Sequence, residues 1–398
     1  MRTLLELYDN EAIENVLAAK IFHPETVVYL WDKTTAGNLD SYREGSVRRY
    51  LNRQMPMINS SFVEINYTNL SDVIHTLGQF VKKHNDCVID FTGGRGILLA
   101  AATIVSSRLL IPSFYIDYIK GRFINIYGCE GLAKDFQMPQ LMAKDLFEIS
   151  GGCFYRYGHY NPEWKTEAFQ KDMIKIWKLY RNNIEDWPRF VAYLQQAAKF
   201  YTAQEDGLNI TAPVTITNER KNVYRVENRI LKALETDGIL LNVNENGDRI
   251  TFSFKDEAVK TCLIDYGICL ELYVYVTALQ MNYFDDVRIS IVVDWDGIIK
   301  QQDNTINEID LILTKGIQSI FISCKIGVPS PLDLSEISYL SRKFGGRLAK
   351  TVLVSASDIR LSNSALYQRA KDMGIAIIDR NELAVHTLTN RLLSILES

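Results

Sequence analysis

The stretch Asn307–Lys325, NEIDLILTKGIQSIFISCK, decides how the last third of the chain folds. Glu308 and Asp310 are two positions apart. On a strand, alternate side chains share a face, so both carboxylates point one way. Ile309, Leu311 and Leu313 point the other way, toward a core. Lys315-Gly316 predicts a turn, and SIFISCK a second strand. An even number of turn residues pairs positions whose numbers have an odd sum. Ser323 and Lys325 then join the face of Glu308 and Asp310. An odd turn without a bulge sends Lys325 to the opposite face. Two carboxylates and a lysine on one face suit phosphodiester hydrolysis. Carboxylate oxygens are hard ligands for Mg²⁺ or Mn²⁺ and leave positions open for water and phosphate. Such a metal lowers the pKa of bound water, and a lysine orients that water or offsets charge on the phosphate. The plainer alternative is a solvated hairpin face with a surface ion pair.

Around this stretch, residues 256–398 read as an α/β unit. A helix over 256–283 is followed by strands VRISIVVDW, INEIDLILT and SIFISCK. A helix near Ser335–Phe344, strand KTVLVSA, a helix near Ala365–Met373, strand IAIID and a final helix from Glu382 complete it. The first helix carries Glu271 inside GICLELYVY, where an acid among apolar neighbours calls for a partner or a metal. Its alternative is a helix-face glutamate reaching solvent. Glu336, on the helix after the hairpin, and Lys350 are placed to support the site from behind, or to be ordinary surface residues.

Toward the N-terminus, TLLELYD, TVVYLW, FVEIN, CVIDF and SFYIDY read as strands. EAIENVLAAK, YREGSVRRYLNRQ, SDVIHTLGQFVKKH and GILLAAATIVSSR read as the helices between them. This alternation predicts a doubly wound, mainly parallel sheet over residues 1–150, with IKGR turning into an antiparallel edge hairpin. Residues 151–255 read as a connector. Residues 138–205 look helical and 206–224 polar, and 225–255 read helix, strand, turn, strand. That last pattern resembles a winged helix; the plainer alternative is a helical spacer between two larger domains.

Thr92-Gly93-Gly94-Arg95-Gly96 lies between strand CVIDF and the next helix. Glycines allow close backbone approach, and the helix start offers free N–H groups to an anion. Thr92 adds a hydroxyl and Arg95 a charge. The spacing is neither GxGxxG nor a P-loop, so no dinucleotide or ATP site is signalled. Asp9 and Asn10 follow the first strand, at a second carboxyl-end loop where ligands of such sheets bind. The alternative is a tight strand-to-helix turn with no ligand.

The whole chain, 398 residues with net charge −4 and 47% hydrophobic residues, is ordinary globular material, and any basic groove must be local. Its six cysteines include no CxxC pair and its five histidines no HxH or HExxH spacing. This argues against zinc ribbons, thioredoxin chemistry and a histidine metal site. The segment 266–284 is apolar but holds Glu271 and reads as a buried helix, not a membrane span. No signal peptide is legible, so a cytoplasmic, membrane-free protein is expected.

The hairpin bearing Glu308, Asp310 and Lys325, after the helix with Glu271, resembles the PD-(D/E)xK nuclease superfamily. That resemblance implies a restriction-endonuclease-like domain with Glu308, Asp310, Lys325 and Glu271 as catalytic residues. It also implies that the Cys324 carbonyl faces a metal held by Glu308 and Asp310. Ser323 departs from the pattern, which has an acid two before the lysine; Glu308, with Glu271, is expected to replace that charge. The strand–TGGRG–helix unit, in turn, resembles the CARF sensor domain of CRISPR-associated proteins. The order of the two units resembles the CARF-coupled PD-(D/E)xK nucleases of type III CRISPR systems. The resemblance implies a cyclic oligoadenylate activator, most often cyclic tetra-adenylate, bound across a homodimer at Asp9, Asn10 and Thr92 to Gly96. It further implies degradation of single-stranded RNA or DNA in antiviral defence. Two rivals remain: a CARF-type transcription regulator with an inert C-terminal unit, and a restriction or repair endonuclease without a small-molecule activator.

Overall fold

A computed structural model describes residues 2–31, 40–66, 69–84, 86–202, 207–299 and 305–397. Strands β1 (Thr3–Leu7), β2 (Thr26–Trp31), β3 (Asn59–Glu64), β4 (Cys87–Asp90), β5 (Ser113–Asp117) and β6 (Arg122–Tyr127) form one sheet in the order β3-β2-β1-β4-β5-β6. The first five are parallel, and β6 returns antiparallel to β5 at the edge. β1 is buried along its whole length and β2 nearly so, which is why they read as continuous apolar runs. The helix Leu70–Lys83 sends Val73, Leu77 and Val81 onto the sheet, and the helix Gly96–Leu109 sends Leu98, Ala101, Ala102 and Val105. Each larger aliphatic side chain so buried contributes roughly 1.5–3 kcal/mol.

The strand order reverses between β1 and β4. From there the chain winds outward to β2 and β3 on one side, and to β5 and β6 on the other. The connections leaving the carboxyl ends of β1 and β4 therefore part from each other and leave a crevice. After β1 the expected helix begins as a 3-10 turn, Ala12–Asn15, before the helix Leu17–Phe22.

Residues 138–205 are not wholly helical. Besides the helices Ala143–Ile149, Glu167–Asn182 and Trp187–Phe200 they hold β7 (Cys153–Tyr157), a short aromatic strand between helical flanks. The polar stretch read as a connector is also strand: β8 (Asn209–Pro213), β9 (Thr215–Thr217) and β10 (Val223–Arg225). Ile210, Ala212 and Ile216 are buried while their neighbours are not, a period of two hidden by polar composition. The helix Asn228–Thr236 and strands β11 (Leu240–Asn246) and β12 (Arg249–Phe254) follow as expected, and β8 adds a third strand in the order β11-β12-β8.

The helix expected over 256–283 is two helices, Glu257–Ile264 and Ile268–Gln280. Asp265 breaks it, because its carboxylate accepts the N–H groups of Gly267 (2.9 Å) and Ile268 (3.3 Å) and starts a new helix. Among the described residues no helix is long and apolar enough to cross a membrane. The remaining strands are β13 (Asp286–Asp294), β14 (Ile306–Lys315), β15 (Gln318–Lys325), β16 (Ala349–Ser355) and β17 (Ile375–Ile378). With β7 they form a second sheet, ordered β17-β16-β15-β14-β13-β7. The chain groups into two compact units. One holds residues 1–156, 291–321 and 336–351; the other holds 157–290, 322–335 and 352–398.

Candidate functional site

At the reversal point, Glu6 of β1 and Asp90 of β4 are register partners on adjacent strands. They are 1% and 0% exposed. Burial, then the facing Asp90 and the nearby Glu14, push the Glu6 carboxyl well above the usual range. Burial likewise pushes Asp90 up to about 7, against hydrogen bonds from Thr92 that favour its charged form. As carboxylates, neither Glu6 oxygen nor Asp90 Oδ2 has a donor. A proton on Glu6 removes the charge repulsion and turns an orphan acceptor into a donor toward Asp90. Burial and the facing carboxyl therefore favour a proton on Glu6 beside Asp90.

The turn after β4 is built on Asp90. Its Oδ1 accepts the Thr92 N–H at 2.7 Å and the Thr92 hydroxyl, while Thr92 Oγ1 accepts the Ile116 N–H at 2.9 Å. Thr92 is 8% exposed, and its hydroxyl serves the inside of the sheet. Gly93 and Gly94 are explained by β1. A Cβ on Gly93 would lie 2.5 Å from the Leu7 carbonyl oxygen, and one on Gly94, at φ +92, 2.7 Å from Leu7 Cβ. Gly96 faces open space. Arg95 is the N-cap of the helix Gly96–Leu109 but makes no side-chain cap.

Its guanidinium reaches across to the other carboxyl-end loop instead. Arg95 Nε and Nη2 donate to Asp9 Oδ2 and Oδ1 at 3.2 and 3.3 Å. Asp9 is nearly buried, at 4% side-chain exposure, whereas Arg95 is 58% exposed. Asn15 clips the loop by accepting the Asp9 N–H (2.8 Å) and donating to the Asp9 carbonyl (2.7 Å). Asn10 is exposed at the rim of a cleft that Ile13, Ser150 and Phe344 also line. The same loop carries Glu14, which accepts the Tyr118 hydroxyl at 2.8 Å. Burial, outweighing that bond, pushes Glu14 up to about 7. The structure thus brings Asp9 against Arg95 and Gly93, while Asn10 lines the neighbouring cleft and Thr92 braces the turn from inside. Glu6, Glu14, Asp90 and Tyr118 belong with them and escaped the sequence reading. The available signal was an acid inside a buried parallel strand, in TLLELYD and CVID.

In the C-terminal stretch, β14 and β15 are joined by the two-residue turn Gly316-Ile317, with Gly316 at φ +59. This is the even length that the carboxylate–lysine arrangement requires. Glu308 is exposed and Asp310 half-buried on β14, while Ile309, Leu311 and Leu313 are buried. Asn307 donates to Glu336 at 3.0 Å and accepts from Trp295 Nε1 at 2.6 Å, which fixes the start of β14. Lys325 ends β15 with its Nζ 3.8 Å from Asp333 Oδ1. Burial raises the Asp333 pKa, but hydrogen bonds from Ser330 and the Lys325 charge together outweigh it and hold the carboxyl low. Cys324 and Ser323 are buried, and Glu271 is half-buried in the first turn of Ile268–Gln280. Asp294 and Asp296, in VVDWDG, form a further acidic pair. Burial, then the hydrogen bond and charge of Asp296, raise the Asp294 pKa.

Among the described residues, no group of three or more His, Cys, Asp and Glu side chains could hold a metal ion. The donors on β14 are the two carboxylates Glu308 and Asp310. That set fits a hydrated Mg²⁺ or Mn²⁺, which one or two carboxylates bind, and not a cage made wholly of protein.

No protein-family model matches the chain, and no curated protein does. Among the solved structures that match it are two that share its fold over the full length. Protein VC1899 from Vibrio cholerae is 17% identical, with 99% of this chain and 98% of that one covered at TM-score 0.73. Can2 from Sulfobacillus thermosulfidooxidans, solved in complex with cyclic tetra-adenylate, is 15% identical, with 100% of both chains covered at TM-score 0.68.

Proposed function

We propose that this chain senses a cyclic oligoadenylate, cyclic tetra-adenylate above others, and responds by metal-dependent cleavage of single-stranded RNA or DNA in CRISPR defence. One observation carries the sensing half. An exposed arginine, paired with Asp9, stands at a helix start in the crevice of a sheet, within a fold shared end to end with a protein solved holding cyclic tetra-adenylate. A phosphodiester anion suits that place, because the helix start and the guanidinium both favour negative charge. Asp9 borders the same crevice and Asn10 follows it on the loop, and the backbone of Gly93 to Gly96 would supply N–H groups. Thr92 holds the turn in shape.

For cleavage, Glu308 and Asp310 would hold the metal, with the Cys324 carbonyl and Glu271 completing the acidic side. Lys325 offsets phosphate charge, and Asp333 holds its ammonium in place. A bound Mg²⁺ or Mn²⁺ supplies an acidified water and charge neutralisation. The two-residue turn of the hairpin supports this assignment through strand parity.

The test is cleavage of labelled single-stranded RNA and DNA by purified protein with Mn²⁺, with and without cyclic tetra-adenylate. Cleavage that requires the activator, and falls about 10²-fold or more in Asp310→Asn, Glu308→Gln and Lys325→Ala with ligand affinity intact, is the expected result. Glu271→Gln should follow them. Wild-type rates in Asp310→Asn would remove the site. Ligand binding without any cleavage would favour a transcription regulator acting through the helix and hairpin of residues 228–254. Cleavage indifferent to the ligand would favour a plain endonuclease.

A further inference from the structure

Two arginines far apart in the sequence neutralise one buried acidic loop. The loop leaving β1 carries Asp9, Glu11 and Glu14, whose side chains are only 4%, 14% and 6% exposed. Arg95 is the cation facing Asp9. Arg347 faces the other two. Its Nε lies 3.7 Å from Glu11 Oε2 and its Nη1 3.7 Å from Glu14 Oε1, while its backbone N–H donates to Glu11 Oε1 at 3.2 Å. Both guanidiniums remain open on their far sides, at 58% and 62% exposure.

Building on the sensing reading above, we propose that Arg347 sets the affinity of the Asp9–Arg95 crevice for an anionic ligand and couples its occupancy to the helix Pro331–Gly345. An incoming phosphodiester competes with Asp9 for Arg95. If the ligand draws Arg95 away, three nearly buried carboxyl groups are left with Arg347 as the neighbouring cation, and its hold on the loop tightens. If Arg347 is absent, the same groups bear on Arg95 alone and keep it from the ligand. Such coupling is reciprocal: whatever ligand binding does to the Arg347 contact, that contact does to ligand binding.

The contact reaches the β14 end of the same compact unit. Arg347 sits in the 3-10 turn Gly346–Leu348, directly after the helix Pro331–Gly345. About 15 Å back along that helix, at 1.5 Å per residue, Glu336 accepts the hydrogen bond from Asn307. Asn307 is the neighbour of Glu308. One rigid helix therefore has the sensing loop at one end and the start of the acidic strand near the other. In this scheme Arg347 is a positioning residue and does not touch the ligand.

The experiment is calorimetric titration of full-length protein with cyclic tetra-adenylate, with cleavage assayed in parallel. Arg347→Ala should weaken binding about five- to tenfold, with activation falling alongside, while Arg347→Lys stays within about threefold of wild type. Glu11→Gln should shift affinity the opposite way, because it relaxes the grip on Arg95. Combining Arg347→Ala with Glu11→Gln and Glu14→Gln should restore affinity, since Asp9 is then the one carboxylate of this loop left to hold Arg95. Wild-type affinity in Arg347→Ala overturns the proposal. So does weak binding that the triple variant fails to restore, which marks Arg347 as a direct ligand contact. If Arg347→Ala does not fold, the sign of the Glu11→Gln shift decides, and weaker binding overturns the coupling. A wild type that binds no cyclic oligoadenylate removes the sensing reading and this coupling with it. Binding with an unaltered Arg347→Ala removes the coupling alone.

Discussion

Glu6 shows how a single side chain can make the fold depend on pH. In the unfolded chain it and Glu14 lose their protons near their ordinary value of 4.5, and Asp90 near 3.8. Folded, Glu14 and Asp90 keep theirs to about 7, and burial holds the Glu6 proton well above its ordinary value. Between those limits the folded state binds more protons than the unfolded one, so stability falls as pH rises from about 4 to 7. Glu6→Gln imitates the protonated form and keeps a donor for Asp90. It should raise the melting temperature at pH 8 by roughly 1–4 °C and flatten the slope between pH 5 and 8. An unchanged slope would mean that the pair is not protonated. Gly93→Ala tests the turn, because its new methyl meets a backbone oxygen. It should cost about 2–4 kcal/mol in denaturant titration. Thr92→Ala strands the Ile116 N–H and should cost about 1–3 kcal/mol, so any loss of ligand binding must be read against stability. TGGRG was legible because glycines beside a charge stand out in any strand-to-helix turn. Arg347 was not, because nothing local links it to a loop that precedes it by more than 300 residues.

At the scale of elements, the β14–β15 hairpin gives the sharpest test. One residue inserted between Gly316 and Ile317 makes the turn odd and should send Lys325 to the other face. Cleavage should vanish, with cyclic tetra-adenylate affinity kept. Two inserted residues restore parity and should recover part of the activity. Equal activity in both insertions would dissociate Lys325 from the chemistry. This hairpin was legible because its apolar positions are uninterrupted and its turn is glycine-marked. β7 and β8 were not. The first is five residues of aromatic strand between helices, and the second alternates polar with small apolar residues. In both, pairing with distant strands overrides the local signal. The break at Asp265 was written as an acid two positions before glycine, but a capping acid and a solvated mid-helix acid look alike until the backbone turns.

For the whole molecule, the sensing proposal carries a stoichiometry. A cyclic tetranucleotide has approximate twofold symmetry, and a homodimer can present the same crevice to both halves. One ligand per two chains, with a change in the separation of the cleavage domains seen by small-angle scattering, is the expected result. Titration at one ligand per chain, or a fully active monomer in sedimentation, would contradict it.

The first compact unit is assembled from three separate stretches, residues 1–156, 291–321 and 336–351. A ribosome delivers these in order, so the last of them emerges roughly 200 residues after the first is complete. At about 5–20 residues per second, that delay is on the order of 10–40 s. Throughout it the nascent N-terminal sheet must persist with Glu11 and Glu14 unattended by Arg347. Until residue 351 emerges the growing chain is thus a loosely finished object, open to proteases and chaperones. Nascent chains stalled after residue 330 should be clipped readily near residues 8–15, whereas chains stalled with residue 351 outside the tunnel should resist.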